Sequence, residues 1–267
     1  MVRRNKNKQG NKSRRSSSKR AFNKKADQFK IISQKIETEQ RNIFLQELSE
    51  DSPDSKIKNL YQLIKNSYES LSAMLKELTL SPPLACKRGC TYCCINQVSL
   101  SEPEALFLGF HLLETRSTAQ LHGLQEKTEN LLLSLKNKSR HEIGMNRHLY
   151  PCLFLENGTC SIYEARPLVC RGWNSVNSDM CRQSNETGNA MAPIENHPLL
   201  RIIAESYQRG LMNGRRDMGL ETGFLLLPRA VGLLLSGGID KKIIDYSEKW
   251  LGGKPFFAES VQKIIPE

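Results

Sequence analysis

Four cysteines fall within nine residues, in the run Cys86-Lys-Arg-Gly-Cys90-Thr-Tyr-Cys93-Cys94. The two residues between Cys90 and Cys93 let the chain turn back so that both sulfurs reach one metal ion or one cluster, a spacing that zinc and iron sites share. Cys86 would share a face with Cys90 if the segment were helical. Neighbouring thiols aim at one ion only with strain, so Cys94 is expected to serve a second site. Four thiols so close together argue against the plain alternative, buried cysteines acting as small apolar side chains. A second group follows, Cys152, Cys160 and Cys170, with Cys181 beyond it. Its gaps match no simple zinc knuckle. Cys152 and Cys160 nevertheless flank Asn157-Gly158, the strongest short hairpin signal, and are expected on opposite strands. Arg166 and Arg171 bracket Cys170 and can offset the negative charge of thiolates around a cofactor; surface solvation or an ordinary ion pair is the competing use for both.

The meaning of eight thiols depends on the compartment. An even count suggests disulfides in an exported protein, whereas in a reducing cytosol clustered thiols point to metal or redox chemistry. Residues 1–25 carry eleven Lys or Arg and no Asp or Glu, with only Met1, Val2, Ala21 and Phe22 apolar. A secretory signal needs an apolar run of at least about seven residues, so a cytoplasmic protein is expected. The tail shares the Arg- and Ser-rich composition of a transit peptide but lacks its apolar helical face. The richest apolar stretch, 224–235, is short and interrupted by Pro228 and Arg229, so no membrane partner is expected. Without the tail the chain holds 28 basic and 28 acidic residues, so the whole net charge of +11 lies in residues 1–25. This excludes a basic face on the folded body and makes RNA or another polyanion the expected partner of the tail, against a merely solubilising role.

The elements that must position the cysteines read as helices. The tail, 1–25, is too polar and self-repelling to order itself, which leaves 26–267 as one folded domain. Apolar residues near helical spacing predict a helix over 26–48. Ser52-Pro53 starts a clearer one, with Ile57, Leu60, Ile64, Tyr68, Leu71 and Leu75 at threes and fours, ended by Pro82-Pro83. Tyr61, Tyr68 and Met74 at this spacing are read as core packing rather than a ligand stripe. Ser101 and Glu104 form a capping box opening a helix through Leu113, and further helices are expected over 118–136, 199–211, 228–235 and 239–251. The expected fold is mainly α: a compact helical domain with one small β-hairpin and a cysteine-ligated metal centre.

On these residues the chain resembles a known family. The run CKRGCTYCC, with Val98 and Glu104 after it, looks like the opening of the CxxCxxCC family of zinc- or iron-chelating proteins, the YkgJ-like cysteine cluster proteins. The run PCLFLENGTCSIYEARPLVCRGW, 151–173, resembles that family's second block and is the more specific match. The likeness covers roughly 57–258, including Trp250-Leu251-Gly252-Gly253. The chain departs from the pattern in the three residues between Cys86 and Cys90, where the family's name implies two. The resemblance implies chelation by the cysteines, with an iron-sulfur cluster of the 4Fe–4S type or zinc as the cofactor. Eight thiols exceed the four that a structural zinc needs, which favours the cluster; a cluster plus a zinc is the other arrangement. One relative, flagellin lysine N-methylase, carries a similar block tied to an iron-sulfur cluster, so the alternative is an S-adenosylmethionine-dependent methyltransferase. That transfer is analogy, because a shared metal site does not fix a shared reaction.

Cys86, Cys90, Tyr92 and Cys93 also resemble the radical S-adenosylmethionine signature, in which three cysteines hold a cluster with one open iron. Those enzymes use repeated strand-helix units, which the pattern after Cys94 does not show, and Cys94 and the second block would go unexplained. His148, four residues before Cys152, is a weaker ligand candidate, and His111, His122, His141 and His197 have no thiol nearby in sequence. No Gly-rich phosphate loop and no serine nucleophile motif supports a nucleotide-binding or hydrolase reading.

Overall fold

The helices form where apolar residues recur at threes and fours, and most of the core is built by them. The structure is a computed structural model that describes residues 7–49 and 52–257, with residues 7–25 described by backbone alone. Helix α1 (Asn7–Glu47) contains the segment expected from Ala26 and begins upstream of it. Residues 1–6 of the basic tail lie outside the described residues. Helix α2 (Pro53–Glu77) has its proline in the first turn, where the missing N–H costs nothing, and buries Ile57, Leu60, Leu63, Ile64, Tyr68 and Leu71. Tyr61 and Met74 pack against the same core, as read from their spacing.

A two-residue strand β1 (Ser99–Leu100) leads into α3 (Glu102–Thr115), followed by α4 (Thr118–Leu135) and a short α5 (Arg140–Met145). Strands β2 (Leu155–Glu156) and β3 (Thr159–Cys160) pair antiparallel, with Leu155 opposite Cys160. Asn157 and Gly158 between them both have positive φ, 49° and 70°, as the tight primed turn requires. The hairpin is shorter than expected. Cys160 is on β3, but Cys152 lies upstream of β2, so the two cysteines are not cross-strand neighbours. Short helices α6 (Leu168–Gly172) and α7 (Ser178–Glu186) follow, then α8 (Pro198–Asp217), β4 (Leu225–Leu226), α9 (Leu227–Leu235) and α10 (Ile239–Leu251). A second sheet, unforeseen, pairs β1 with β4, Ser99 against Leu226 and Leu100 against Leu225.

Close helix contact depends on small residues. A Cβ on Gly210 would stand 2.6 Å from the Gln40 Cβ, and one on Gly214 would stand 2.8 Å from the Phe44 Cβ, so α8 meets α1 where it has no side chains. Arg209 donates to Glu37 at 2.6 Å and to the Ser33 hydroxyl at 2.8 Å along the same seam. Deeper in the core, the fully buried Glu102 and Arg215 form an ion pair, and Glu102 also accepts the Gly223 N–H. The capping box at the start of α3 reaches further than its own helix. Glu104 Oε2 accepts the Ser101 N–H at 3.0 Å and the Ser101 hydroxyl at 2.8 Å. Its Oε1 accepts the Leu168 N–H at 2.9 Å and the Tyr68 hydroxyl at 3.3 Å. One buried carboxylate thereby ties α2 and α3 to the start of α6, the helix that carries Cys170.

Candidate metal centre

The cysteines sit on the least regular part of the chain, held from outside by the helices. The first cysteine loop turns at Gly89, whose φ is +87°, with the Cys90 N–H donating to the Lys87 carbonyl at 3.0 Å. This is the turn type whose third residue must be left-handed, the place for glycine. Cys93 and Cys94 follow on a single 3₁₀ turn, Tyr92–Ile95. The loop is fastened on two sides. Ala85 N–H donates to the Ser175 carbonyl at 2.9 Å, and Ser175 N–H donates to Cys86 Sγ at 3.2 Å. The Asn185 amide of α7 donates to the Tyr92 carbonyl at 3.0 Å. The two blocks join directly where the Cys152 N–H donates to the Cys94 carbonyl at 2.7 Å.

All eight thiols are free; four of them line one cavity, and the other four lie near one another and near Cys93. Cys86, Cys90, Cys93 and Cys181 line one cavity of about 150 Å³. Cys86 lies within electrostatic range of the other three. Cys94, Cys152, Cys160 and Cys170 form the second set: Cys94 senses Cys152 and Cys160, and Cys170 senses Cys152 and Cys160. Cys93 stands between them, hydrogen-bonded to the Cys94 thiol and close to Cys152, Cys160 and Cys170. Position in the sequence grouped Cys181 with the second block; α7 carries it to the first.

Charge and burial act on these sulfurs in different directions. Burial pushes the thiols of Cys86, Cys152, Cys160 and Cys170 up, neighbouring sulfurs adding to it. The hydrogen bond from Cys94 brings Cys93 down to about 7 against its partial burial, with Arg166 helping, and the same bond raises Cys94. Arg166 lies over the Tyr163 ring at 4.1 Å, within range of Cys93, Cys160 and Cys170. Arg171 is buried and used by the protein itself. It donates to the carbonyls of Arg166 at 3.0 Å and Glu164 at 2.6 Å and to the Ser72 hydroxyl at 2.9 Å, and it covers the Tyr68 ring at 4.3 Å. It still contributes positive charge near Cys160 and Cys170.

Among the described residues no three His, Cys, Asp or Glu side chains are gathered as a ready-made metal site. The donor set nevertheless suits a thiophilic metal. It offers eight unpaired sulfurs and two arginines, Arg147 and Arg166, whose buried Nε atoms have no hydrogen-bond partner among the described residues. Both side chains are half-buried, and thiolates on a metal would place a counter-charge near them. Arg147 and Trp173, both in the cavity wall, were not foreseen. Trp173 stands directly after Arg171-Gly172 in the second block, but nothing in the sequence marked Arg147, which reaches the site from the loop after α5. His148 is exposed beside Gly188, away from that wall. Among the described residues there is no parallel sheet of the kind that accompanies the radical S-adenosylmethionine signature.

No helix among the described residues is long and apolar enough to cross a membrane. No curated protein and no solved structure matches the chain. Residues 85–190, a narrower span than the resemblance suggested but one holding all eight cysteines, match the model of the CxxCxxCC family, described as a putative zinc- or iron-chelating domain. Residues 85–190, framed by helices on either side, are thus similar to a CxxCxxCC domain.

Proposed function

We propose that the protein is a metal-binding cysteine cluster protein of the cytoplasm with two thiolate centres, Cys86/Cys90/Cys93/Cys181 and Cys94/Cys152/Cys160/Cys170. What supports this reading is that Cys86, Cys90, Cys93 and Cys181 line one cavity, while Cys94, Cys152, Cys160 and Cys170 lie near one another with Cys93 adjoining both groups. Arg166 and Arg171 supply positive charge to the second centre. An iron-sulfur cluster is favoured over zinc because the thiols outnumber what one structural zinc uses. The test is anaerobic purification followed by metal analysis and a visible spectrum, since zinc is colourless. A fully folded, metal-free protein that takes up neither iron nor zinc overturns the proposal.

A second reading is an iron-sulfur methyltransferase that uses S-adenosylmethionine. It is favoured by the cavity against Cys86, Cys90, Tyr92 and Cys93. A cluster whose spectrum does not respond to S-adenosylmethionine would count against it. Independently of the metal, eleven cations and no carboxylate in residues 1–25 suit RNA. If about six phosphates are neutralised on a single strand, log affinity falls with log salt at a slope near −4. Equal RNA affinity after removal of residues 1–25 refutes that role.

A further inference from the structure

We propose that the two thiol sets differ in kind: Cys86/Cys90/Cys93/Cys181 is an exchange site that incoming donors can reach, and Cys94/Cys152/Cys160/Cys170 is a retained site. The inference rests on the two-centre reading above and adds to it which centre trades its metal.

All four residues of the first set line the same open cavity, and none of the second set does. Cys86 and Cys93 are exposed, whereas Cys90, Cys181 and every member of the second set are half-buried. Cys152 and Cys160 pack against the main core. Their surroundings are Leu153 and Phe154 at 1% exposure, Ile162 at 2% and Leu168 at 0%. The second set is thus seated on the packed core, half-buried, rather than on an open cavity. The first is bounded by loops, with Trp173, 45% exposed, in its wall.

Accessibility matters because a thiolate-bound ion leaves most readily when a new donor attacks it. With a metal bound, an entering donor would form one bond to it as one cysteine sulfur let go. The departing sulfur would take up the proton released by an entering thiol, or by the ammonium group of an entering aminocarboxylate, with no change of the metal's oxidation state. Such a step needs a route to the ion, and the first set lines a cavity that offers one. The wall also suits an anionic donor. It contains Arg147 and Arg201 and no carboxylate. Arg201 is already paired with Glu205 at 2.7 Å, so Arg147, held by Asn96 at 3.0 Å and by Ser184, is the fixed cation an entering donor meets.

The full-length protein, loaded with zinc as the probe and counted by metal analysis, is mixed with excess pyridylazoresorcinol, which absorbs visibly once it captures zinc. Two ions per chain should leave in two phases of equal amplitude, with rates at least about tenfold apart. Cys181→Ser should abolish the fast phase and keep the slow one. Trp173 fluorescence should change in the fast phase, because the other tryptophan, Trp250, is fully buried elsewhere. Pulse alkylation of the unmutated protein with N-ethylmaleimide avoids any folding defect in a variant, and should label Cys86, Cys90, Cys93 and Cys181 during the fast phase. Two ions leaving in a single phase, or early labelling of Cys152 or Cys170, overturns the inference and leaves the two-centre reading intact. Fewer than two ions bound per chain overturns both.

Discussion

Replacing Glu104 with glutamine changes one atom in a buried position and tests whether the capping box also positions the second cysteine block. The glutamate accepts four hydrogen bonds, two on each oxygen: Ser101 N–H and hydroxyl on Oε2, Leu168 N–H and the Tyr68 hydroxyl on Oε1. Glutamine keeps the shape but converts one acceptor into an NH₂ donor. Either hydroxyl can rotate to receive from that donor. A backbone N–H cannot, so whichever way the amide is placed, Ser101 or Leu168 is left with a buried, unpaired donor. Such a loss costs about 1–3 kcal/mol, and exchanging charge-assisted bonds for neutral ones adds about 1 more. The expected destabilisation is thus about 2–4 kcal/mol, read from urea unfolding of the metal-free protein by far-ultraviolet circular dichroism. Leu168 opens α6, so metal release from the retained set should also accelerate. The exposed capping box at Ser139 and Glu142 is the control, and Glu142→Gln should have a much smaller effect. A change under about 1 kcal/mol for Glu104→Gln would refute the claim that this carboxylate fastens α6 to the helical core.

Three further expectations come from the same packing. Gly89→Val forces a branched side chain into φ +87° and should cost about 1–2 kcal/mol locally, weakening zinc uptake by the first set while circular dichroism stays unchanged. Gly214→Val places atoms against Phe44 and should lower stability by about 1–3 kcal/mol through separation of α1 and α8, visible as a lower urea midpoint. Burial raises Glu102 to about 7 despite the nearby Arg215, so its folded value lies above its unfolded one. Its contribution is then fully present below about pH 4.5 and lost as pH rises through 7, up to about 3 kcal/mol. Urea midpoints between pH 5 and 8 should fall for the unaltered protein and stay flatter for Glu102→Gln; equal slopes would contradict this.

Local signals in the sequence were enough for most of the long helices and for one turn. The periodicity from Ile57 to Leu75 became α2, the Ser101/Glu104 box became the start of α3, and Asn157-Gly158 took the positive φ values its hairpin demands. What was hidden depends on contacts between distant residues. The β1–β4 pairing joins two-residue strands too short to show alternation. Helix α6 holds only five residues, too few for a helical period to stand out, and α7 buries only Ser184, so it has no apolar stripe to show. The grouping of thiols was hidden for the same reason. Cys181 follows Cys170 in the chain, but the bonds from Ser175 to Cys86 and from Asn185 to Tyr92 carry its segment to the first loop. The position of Arg171 was legible and its occupation was not, since all its recorded partners are protein groups on α2 and on the turn before α6.

The placement of the thiols bears on what metal loss would do to the protein. In small metal-dependent domains the apo chain unfolds, because the metal supplies most of the folding free energy. Here the main core is formed by side chains of α1, α2, α3, α8, α9 and α10, with Phe44, Leu60, Leu71, Leu106, Ile243 and Trp250 essentially inaccessible. The second cysteine block adds Leu153, Phe154, Ile162 and Leu168 to the same core and is further fastened through Leu168 on Glu104, Arg171 on Ser72 and Gly172 against Ala204. A helical core that stood without metal would let the occupancy of the proposed cysteine centres vary without loss of the fold, and circular dichroism of the chelator-treated protein is expected to keep its helical signal. The first set, on its open cavity, is positioned to use that freedom, while the second, packed against Leu153 and Phe154, shares the rigidity of the core beneath it.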